Sequence, residues 1–384
     1  MKKVVIAMDS LKGSMTSLEA GTVIQEAIHM VQKETEVVVK PLADGGEGTT
    51  EALIEGLHGE RIEKIVTGPL KEPVMAVYGW IEESKTAIME MASAAGIVLL
   101  KEEERNPWEA TTYGVGELIK DAVLRGAKKI ILGIGGSATN DGGIGMLQAL
   151  GYEFLNQEGD PVGEGAKALS QIQIVQKKKD AISLEHCQIE VACDVNNPLC
   201  GKNGATYIFG PQKGVKIEER ETIDRAMSHF ADVTETFLGV DQREIKGAGA
   251  AGGLGFALVA YLQATLRSGI DFVLEAVNLE EVLQGADLVV TGEGRLDYQT
   301  AMGKAPIGVA KLAKKHGIKV IAFAGSVTKD ARICNEKGID AYFPIIRGIT
   351  TLEEATKKRK CKRKFKGNGR TSFSVIIIKS QNGK

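Results

Sequence analysis

Residues 4–31 read VVIAMDSLKGSMTSLEAGTVIQEAIHMV. The apolar run at the start is typical of a buried strand. Residues 17–31 repeat apolar side chains at helical spacing, with Thr16 or Ser17 as the N-cap. Residues 36–57 follow the same order, because EVVVKPLAD is followed by GTTEALIEGL. Two consecutive strand–loop–helix units predict the opening of a parallel α/β sheet.

The same rhythm returns near the end of the sequence. Residues 286–294 have the composition of a strand and a loop, residues 319–327 and 340–346 that of strands, and residues 305–317 that of a helix. Residues 60–92 instead contain several extended segments joined by turns, which favours antiparallel hairpins. We therefore predict a parallel-sheet domain built from 1–61 plus 285–384, with a mixed α/β domain of 62–284 inserted into it. The active site is expected in the cleft between them.

Composition and cysteine usage indicate a globular protein of the cytoplasm. Of the 384 residues, 43% are hydrophobic and 26% are charged, which leaves enough apolar material for a full core. No apolar run reaches the ~18 residues of a membrane span. The opening MKKVVIAMDS resembles a weak secretory leader, but Asp9 interrupts its apolar part, so a first strand is favoured. The five cysteines are odd in number and lack CxxC spacing, which argues against disulfides and zinc.

The charge is distributed unevenly. Residues 357–384 contain 11 of the 48 basic residues and none of the 50 acidic ones, so the remainder has a net charge of −13. An acidic main body does not suit nucleic-acid binding, and we expect neither a nucleic acid nor a membrane as partner.

Turns that combine a carboxylate with glycine or asparagine follow nearly every predicted strand. In open parallel sheets, ligands bind outside the carboxyl ends of the strands, which is where these turns fall. The turns are DSLKGS at 9–14, DGGEGT at 44–49, GGSATNDGG at 135–143, DVNN at 194–197 and TGEGRLD at 291–297. Each one alone has a structural interpretation, as a helix cap, a tight turn or an Asx turn. Their recurrence in both halves of the chain favours a function.

These turns suit phosphoryl transfer. Glycines let backbone N–H groups approach an anion, and a following helix N-terminus adds a positive dipole. Carboxylates would repel a phosphate unless a divalent cation lay between them, and Mg²⁺ is usually held by one or two carboxylates plus substrate phosphates. Lys12, Arg295 and Lys304 are candidates to balance the charge of a transferring phosphoryl group. The pattern predicts Mg²⁺-dependent transfer from a nucleotide to a small acidic acceptor.

Together the motifs resemble those of the bacterial type I glycerate kinases. The matching stretches are DSLKGS at 9–14, PLADGGEGT at 41–49, GIGGSATNDGG at 133–143, CDVNNPLCG at 193–201, GAGAAGGLGF at 247–256, TGEGRLDYQT at 291–300 and GKAP at 303–306. The resemblance covers the chain to about residue 355. It implies ATP-dependent phosphorylation of D-glycerate to a phosphoglycerate with Mg²⁺, on a two-domain α/β fold with one flavodoxin-like domain. The choice between the 2- and 3-hydroxyl and the oligomeric state stay open, with a homodimer as one option.

Chemistry then assigns provisional roles to the residues of these turns. Asp194 and Asp297 are the candidate general bases. Arg295 or Lys12 would neutralise the glycerate carboxylate, and Lys304 would reach the transferred phosphate. Asp141 is the candidate metal ligand. The other expected substrate- and phosphate-binding residues are Asp9, Ser10, Gly13, Asp44, Gly45, Gly46, Glu47, Gly135, Gly136, Ser137, Asn140, Asn196, Gly252, Gly253 and Glu293.

Beyond Ala355 the sequence departs from the family pattern. Residues 356–384 have no acid and no helical period. A shifted reading frame and a native basic tail both explain this, and the tail is the basis of a nucleic-acid-binding alternative. Two further alternatives are a kinase for another small hydroxy acid and a catalytically idle nucleotide- or metabolite-binding protein. The density of carboxylates argues against the idle protein, because binding alone does not need so many acids.

Overall fold

The computed structural model describes residues 1–11, 13–43, 48–57, 59–346, 348 and 350–357. The described residues form two compact units, the first within Met1–Asp44, Glu51–His58 and Ile270–Lys384, the second within Gly45–Thr50 and Gly59–Gly269. Lys12, Asp44, Gly45, Gly46, Glu47 and the tail from residue 358 lie outside the described residues. The predicted domain bounds, 1–61 plus 285–384 and 62–284, stay a prediction, as does the cleft between those domains.

The secondary structure alternates strands and helices in both units. The strands are β1 (Lys3–Met8), β2 (Glu36–Pro41), β3 (Glu60–Thr67), β4 (Pro73–Ile81), β5 (Thr86–Glu90), β6 (Lys129–Gly133), β7 (Tyr152–Leu155), β8 (Ile174–Lys177), β9 (Gln188–Ala192), β10 (Thr265–Arg267), β11 (Leu288–Leu296), β12 (Lys319–Val327) and β13 (Ala341–Pro344).

The α-helices range from one turn to five. They are α1 (Ser17–Val31), α2 (Thr49–Leu57), α3 (Ala92–Ala95), α4 (Tyr113–Leu124), α5 (Ile144–Ala149), α6 (Ala166–Leu169), α7 (Ala205–Phe209), α8 (Arg220–Leu238), α9 (Ala250–Leu262), α10 (Gly269–Ala276), α11 (Leu279–Val282), α12 (Tyr298–Ala301), α13 (Ala305–Lys315), α14 (Ile333–Glu336) and α15 (Leu352–Thr356). None in the described part of the chain combines the length and apolarity that a membrane crossing requires.

The first unit contains a five-stranded sheet in the order β13-β12-β11-β1-β2, and every pairing is parallel. This is the flavodoxin-like order, in which the first strand lies beside the second on one side and the third on the other. Residues 4–8 of β1 are at most 1% exposed. That burial explains their uninterrupted apolar sequence, because parallel sheets are covered on both faces.

Helix α1 begins where the sequence predicts. Thr16 is the N-cap: its hydroxyl accepts a hydrogen bond from the N–H of Glu19 (3.2 Å), and the Glu19 carboxylate accepts one from the N–H of Thr16 (3.2 Å). This capping box satisfies two donors that a helix start leaves unpaired. The buried face of the helix includes Ile24, which packs in the core that also contains residues of β1 and β11.

The second unit contains a six-stranded mixed sheet in the order β10-β9-β6-β5-β4-β3. Strands β3, β4 and β5 pair antiparallel, as residues 60–92 predict, and β5, β6, β9 and β10 pair parallel. Strands β7 and β8 form a separate antiparallel pair. The predicted fold class, an α/β protein with a parallel sheet built from both chain ends and a mixed inserted region, is confirmed.

The core of the first unit yields a stability prediction for helix α1. Ile24 is fully buried, whereas Met30 on the same helix is 55% exposed. Ile24→Ala is expected to lower the free energy of unfolding by about 2–5 kcal/mol, because it removes apolar contacts and leaves a cavity. Met30→Ala should change it by less than about 0.5 kcal/mol. Urea denaturation of both variants measures the difference, and equal effects would contradict the assigned helix face.

Candidate functional site

Two carboxylates meet at the carboxyl edge of the first sheet. Asp9 follows β1 directly, and its N–H donates to the carbonyl of Gly292 on β11 (2.9 Å). Glu293 is the next residue of β11. The chain leaves β1 towards β2 on one side of the sheet and returns to β11 on the other, so β1 and β11 flank the topological switch point. Ligands of open α/β sheets bind in the crevice outside the strands at that point.

Glu293 is as buried as Asp9, with 6% of its surface exposed. Its Oε1 accepts a 2.5 Å hydrogen bond from the Thr300 hydroxyl. Burial raises the pKa of Glu293 to about 7; the Thr300 hydrogen bond and the Lys304 charge act against this shift, while Asp9 and Asp297 add to it. The carboxyl group therefore changes charge near neutral pH.

Asp297 serves as the N-cap of α12. Its Oδ1 accepts hydrogen bonds from the N–H groups of Gln299 (2.9 Å) and Thr300 (3.3 Å), and its own N–H donates to the Thr300 hydroxyl (3.1 Å). Arg295 lies 3.5 Å from Asp297 Oδ2 through its Nε and is 66% exposed. Half-buried Lys304 is the N-cap residue of α13. The structure thus brings Asp9, Glu293, Arg295, Asp297 and Lys304 to one part of the first unit.

In the second unit, the loop after β6 contains the GGSATNDGG motif. Gly135 and Gly136 are exposed, and Ser137 is 6% exposed, whereas Asn140 is fully buried. The Asn140 Nδ2 donates to the Thr206 hydroxyl (3.0 Å). The motif therefore enters the interior immediately after its first glycines.

The Asp141 carboxylate is fully buried and surrounded by protein donors. It accepts hydrogen bonds from the N–H (2.8 Å) and hydroxyl (2.8 Å) of Thr112, from the N–H of Gly143 (3.1 Å) and from that of Gly145 (3.4 Å). Burial raises the pKa of Asp141, and these hydrogen bonds oppose the shift. These contacts favour a role in ordering the loop. Asp141 as a metal ligand stays a prediction.

Lys213 is a buried partner of this loop that sequence reasoning missed. Its ammonium group is 1% exposed and donates to the carbonyl of Thr139 (2.6 Å). Burial lowers the pKa of Lys213 to about 7, and the Asp141 charge partly counteracts this. Nothing in the local sequence GPQKG indicates this position, because Lys213 follows no strand and contacts a residue 74 positions away. Thr300 was also missed as the partner of Glu293, because it lies in α12, outside the turn motifs.

The glycines of α9 allow a close backbone approach to the loop. Gly252 accepts a hydrogen bond from the N–H of Gly142 (2.9 Å), and a Cβ on Gly252 would lie 2.1 Å from the carbonyl oxygen of Thr139. Gly252 and Gly253 have φ values of 71° and 89°, which favour glycine. The side-chain oxygens Thr139 Oγ1 and Asn140 Oδ1 are buried without a hydrogen-bond partner among the described residues. The loop is therefore tightly packed, and these two oxygen atoms can still accept hydrogen bonds.

The remaining predicted residues lie close to strand ends or in turns. Asp194 and Asn196 are exposed after β9, and Asp194 Oδ1 accepts a hydrogen bond from the N–H of Gly269 (2.9 Å). The Ser10 N–H donates to Asp9 Oδ1 (2.6 Å), and Gly13 has a φ of 78°. Asp194 belongs to the second unit and Asp297 to the first, so the two candidate bases come from different units.

A cavity of about 640 Å³ in the second unit lies away from these turns. Its lining includes Lys128, Gln188 and Thr265, which precede or begin β6, β9 and β10. This is the amino-terminal edge of the parallel strands, whereas ligands of such sheets bind at the carboxyl edge. We therefore base the candidate site on the turns and not on this cavity.

Fold and turns together define a class of protein: an α/β protein with glycine-rich loops and with carboxylates at a topological switch point. Comparison with known proteins identifies the family. The sequence profile of the glycerate kinase family matches residues 4–365. The chain belongs to the glycerate kinase family, and the predicted family and activity are confirmed. The match extends ten residues past Ala355, where the motif resemblance stops.

Individual relatives agree over nearly the full chain. The glycerate kinase of Bacillus subtilis is 49% identical over 353 residues, which are 92% of each chain. The Escherichia coli protein named glycerate 2-kinase is 47% identical over 353 residues, 92% of this chain and 93% of its own. A crystal structure of a Salmonella typhimurium protein assigned as glycerate kinase 2 matches with a TM-score of 0.91 and 42% identity, covering 99% of both chains.

The close approach at Gly252 can be tested by comparison with another left-handed glycine. Gly239 has nearly the same φ (74° against 71°), but a Cβ there would meet nothing within 4 Å. Both alanine variants should lose ~1–2 kcal/mol of unfolding free energy, because alanine disfavours the left-handed backbone conformation. Gly252→Ala should lose an additional ~1–3 kcal/mol of unfolding free energy, because extra atoms are forced into a packed site. Denaturant unfolding measures both variants, and equal losses would contradict the described packing.

The buried ammonium of Lys213 predicts a pH dependence of stability. Burial lowers the pKa of Lys213 from 10.5 to about 7, so between these values the unfolded chain holds a proton that the folded chain lacks. The free energy of unfolding should therefore rise from neutral pH to about pH 10, with this group contributing on the order of a few kcal/mol. Lys213→Met should lack that contribution.

Denaturation of wild type and Lys213→Met across this pH range measures the effect. The difference between the two proteins cancels the groups that titrate in both. A difference that stays constant with pH would show that Lys213 has an ordinary pKa in the folded protein.

Proposed function

We propose that the protein transfers the γ-phosphoryl group of ATP to the 2-hydroxyl of D-glycerate, giving ADP and 2-phosphoglycerate. Membership of the glycerate kinase family supports the substrate class. The choice of hydroxyl rests on the relative named glycerate 2-kinase, which is 47% identical to this chain over 93% of its own length. ATP is the donor in this proposal.

Charged groups at the edge of the first sheet support the recognition of an anionic acceptor. Arg295 is 66% exposed, so its guanidinium is accessible to the glycerate carboxylate, and its present partner Asp297 Oδ2 is 3.5 Å away. Solvent-exposed ion pairs contribute little, so a substrate carboxylate can compete for the guanidinium. Lys304 at the start of α13 is proposed to bind the transferring phosphoryl group, where the helix N-terminus adds positive potential. Lys12, the other candidate for the glycerate carboxylate, lies outside the described residues.

In the second unit, the loop of residues 135–143 is proposed to bind phosphate. Its first glycines are exposed, so their backbone can approach an anion. The rest of the loop is held in place by the contacts of Asp141, Lys213 and Gly252. Preorganised backbone donors of this kind stabilise charge without reorganising during the reaction. Asp194 and Asn196, exposed after β9, are proposed as further binding residues of this edge.

The described residues contain no group of three or more His, Cys, Asp or Glu side chains placed to hold a metal ion. The predicted ligand Asp141 is fully buried with four protein donors on its carboxylate. We therefore propose that Mg²⁺ enters as the magnesium complex of ATP, since Mg²⁺ commonly binds substrate phosphates and keeps several waters.

A cytoplasmic location fits this proposal. ATP is available there, and reducing conditions keep thiols free. Among the described cysteines, Cys187, Cys193, Cys200 and Cys334 are free thiols. Small molecules remain the proposed partners, without a nucleic acid or a membrane.

Product analysis tests the proposed reaction. The protein is incubated with ATP, Mg²⁺ and D-glycerate, and ³¹P NMR separates the two phosphoglycerates. We expect 2-phosphoglycerate, formed with an equal amount of ADP, and no product when EDTA removes Mg²⁺. A 3-phosphoglycerate signal would contradict the choice of hydroxyl. The absence of any phosphoglycerate from protein shown to be folded by circular dichroism would contradict the proposed function.

Competition between acceptors tests the alternative of another hydroxy acid. L-Glycerate, glycolate and D-lactate serve as matched acceptors, because each retains a hydroxyl next to a carboxylate. The value of kcat/KM should be highest for D-glycerate. A higher value for another acid would favour the alternative.

A further inference from the structure

We propose that Glu293 is the general base that accepts the proton of the glycerate hydroxyl during phosphoryl transfer. The proposal rests on the proposed glycerate kinase reaction. An alcohol that attacks a phosphoryl group needs a positioned acceptor for its proton, which a carboxylate supplies in other kinases. Sequence reasoning placed Glu293 among the binding residues and named Asp194 and Asp297 as bases.

The position of Glu293 favours it. The residue lies on β11 beside the start of the Asp9 loop, because β1 and β11 are paired up to Met8 and Gly292. This is the switch point, where substrates of flavodoxin-like sheets bind. Only 6% of the Glu293 surface is exposed, so the carboxylate is held in a largely dry position.

The two bases predicted from sequence have other contacts. Asp297 Oδ1 caps α12 through two backbone N–H groups, and its Oδ2 faces Arg295. Asp194 is exposed and accepts a hydrogen bond from the N–H of Gly269, which orders the start of α10. Glu293, by contrast, accepts a side-chain hydrogen bond from Thr300 and takes part in no helix cap.

The surroundings of Glu293 adjust its basicity. The charged and titratable groups that interact with Glu293 lie on four segments of the chain: Asp9 after β1, Asp297 at the start of α12, Lys304 at the start of α13, and Cys334 on α14. Burial raises the pKa of Glu293 to about 7, and the Thr300 hydroxyl and Lys304 limit the rise. A base with a pKa near the working pH combines a useful ionised fraction with a strong affinity for the proton.

The proposed step balances as follows. The hydroxyl oxygen of glycerate forms a bond to the γ-phosphorus as the bond from that phosphorus to the bridging oxygen of ADP breaks. The hydroxyl proton passes to Glu293, and the electron pair of its O–H bond remains on the oxygen that becomes the phosphate ester. Glu293 returns the proton to solvent after the products leave, so one proton is released per turnover.

The first test removes the base and keeps its shape. Glu293→Gln should lower kcat by about 10²–10⁴-fold, the range of general-base contributions, with a KM for D-glycerate within a few-fold of wild type. Glu190→Gln is the matched control. Glu190 lies within β9, away from the strand ends; it is 5% exposed and forms ion pairs with Lys129 and Arg267. It should leave kcat within about threefold. Circular dichroism establishes that both variants are folded.

The second test shifts the pKa of Glu293 and keeps its carboxylate. In wild type, kcat/KM should fall about tenfold per pH unit below pH ~7, because protonated Glu293 is not a base. Thr300→Val removes the hydrogen bond that stabilises the carboxylate anion, so the acid limb should move to higher pH. Thr300→Ser keeps the hydroxyl that bonds to Glu293 and to the Asp297 N–H, so it should restore the wild-type limb. A merely structural effect of Thr300→Val would lower kcat/KM without moving the limb. This test applies even where Glu293→Gln fails to fold.

The outcomes distinguish this inference from the proposed function. Active wild type with Glu293→Gln retaining more than a tenth of kcat would overturn the role of Glu293 and leave the glycerate kinase activity intact. An acid limb that is the same in wild type, Thr300→Val and Thr300→Ser would also overturn it. Wild-type protein that makes no phosphoglycerate would instead contradict the proposed function.

Discussion

The parallel pairing of β1 with β11 is the constraint on which the first unit depends. Val4 lies beside Leu288 and Met8 beside Gly292, so the register joins residues about 284 positions apart. Such a non-local contact forms only after a large loss of chain entropy, and continuous burial of both strands has to compensate for it. Residues 4–8 of β1 and residues 288–290 of β11 meet this need, because all of them are apolar and at most 3% exposed.

The same pairing creates the acidic site. Because Asp9 follows β1 and Glu293 continues β11, two carboxylates from opposite ends of the chain are fixed at one edge. The hydrogen bond from the Asp9 N–H to Gly292 extends the ladder to the point where the strands diverge. Gly292 itself has no room for a side chain, since a Cβ would lie 1.9 Å from the Phe323 carbonyl oxygen. Glycine at this position of β11 is therefore required by packing.

Sequence patterns predicted the strands and helices that carry a clear period and strong end signals. The capping box of Thr16, the apolar run of β1 and the hairpins of residues 60–92 all depend on neighbours close in sequence. The turns after β1, β6 and β9 were likewise found, because an acid beside glycine or asparagine after a strand is a local signal. The predicted turn at 291–297 was wrong, since residues 291–296 continue strand β11. The left-handed φ of Ala251 is different: an alanine at 52° is imposed by the packing of α9 against the 139–142 loop, which no local pattern reveals.

Burial explains why the sequence alone could not assign pKa values and roles to the ionisable residues. Desolvation disfavours the charged form of any group, so it raises the pKa of a carboxyl and lowers that of an ammonium. Glu293 and Lys213 start from 4.5 and 10.5, and burial brings both pKa values to about 7. The two residues differ in where they lie in the structure. Glu293 lies on β11 beside the end of β1, where a ligand is expected, whereas Lys213 is 1% exposed and donates to the Thr139 carbonyl. One physical cause thus gives a proposed base in one unit and, in the other, a buried lysine that supports the loop of residues 135–143.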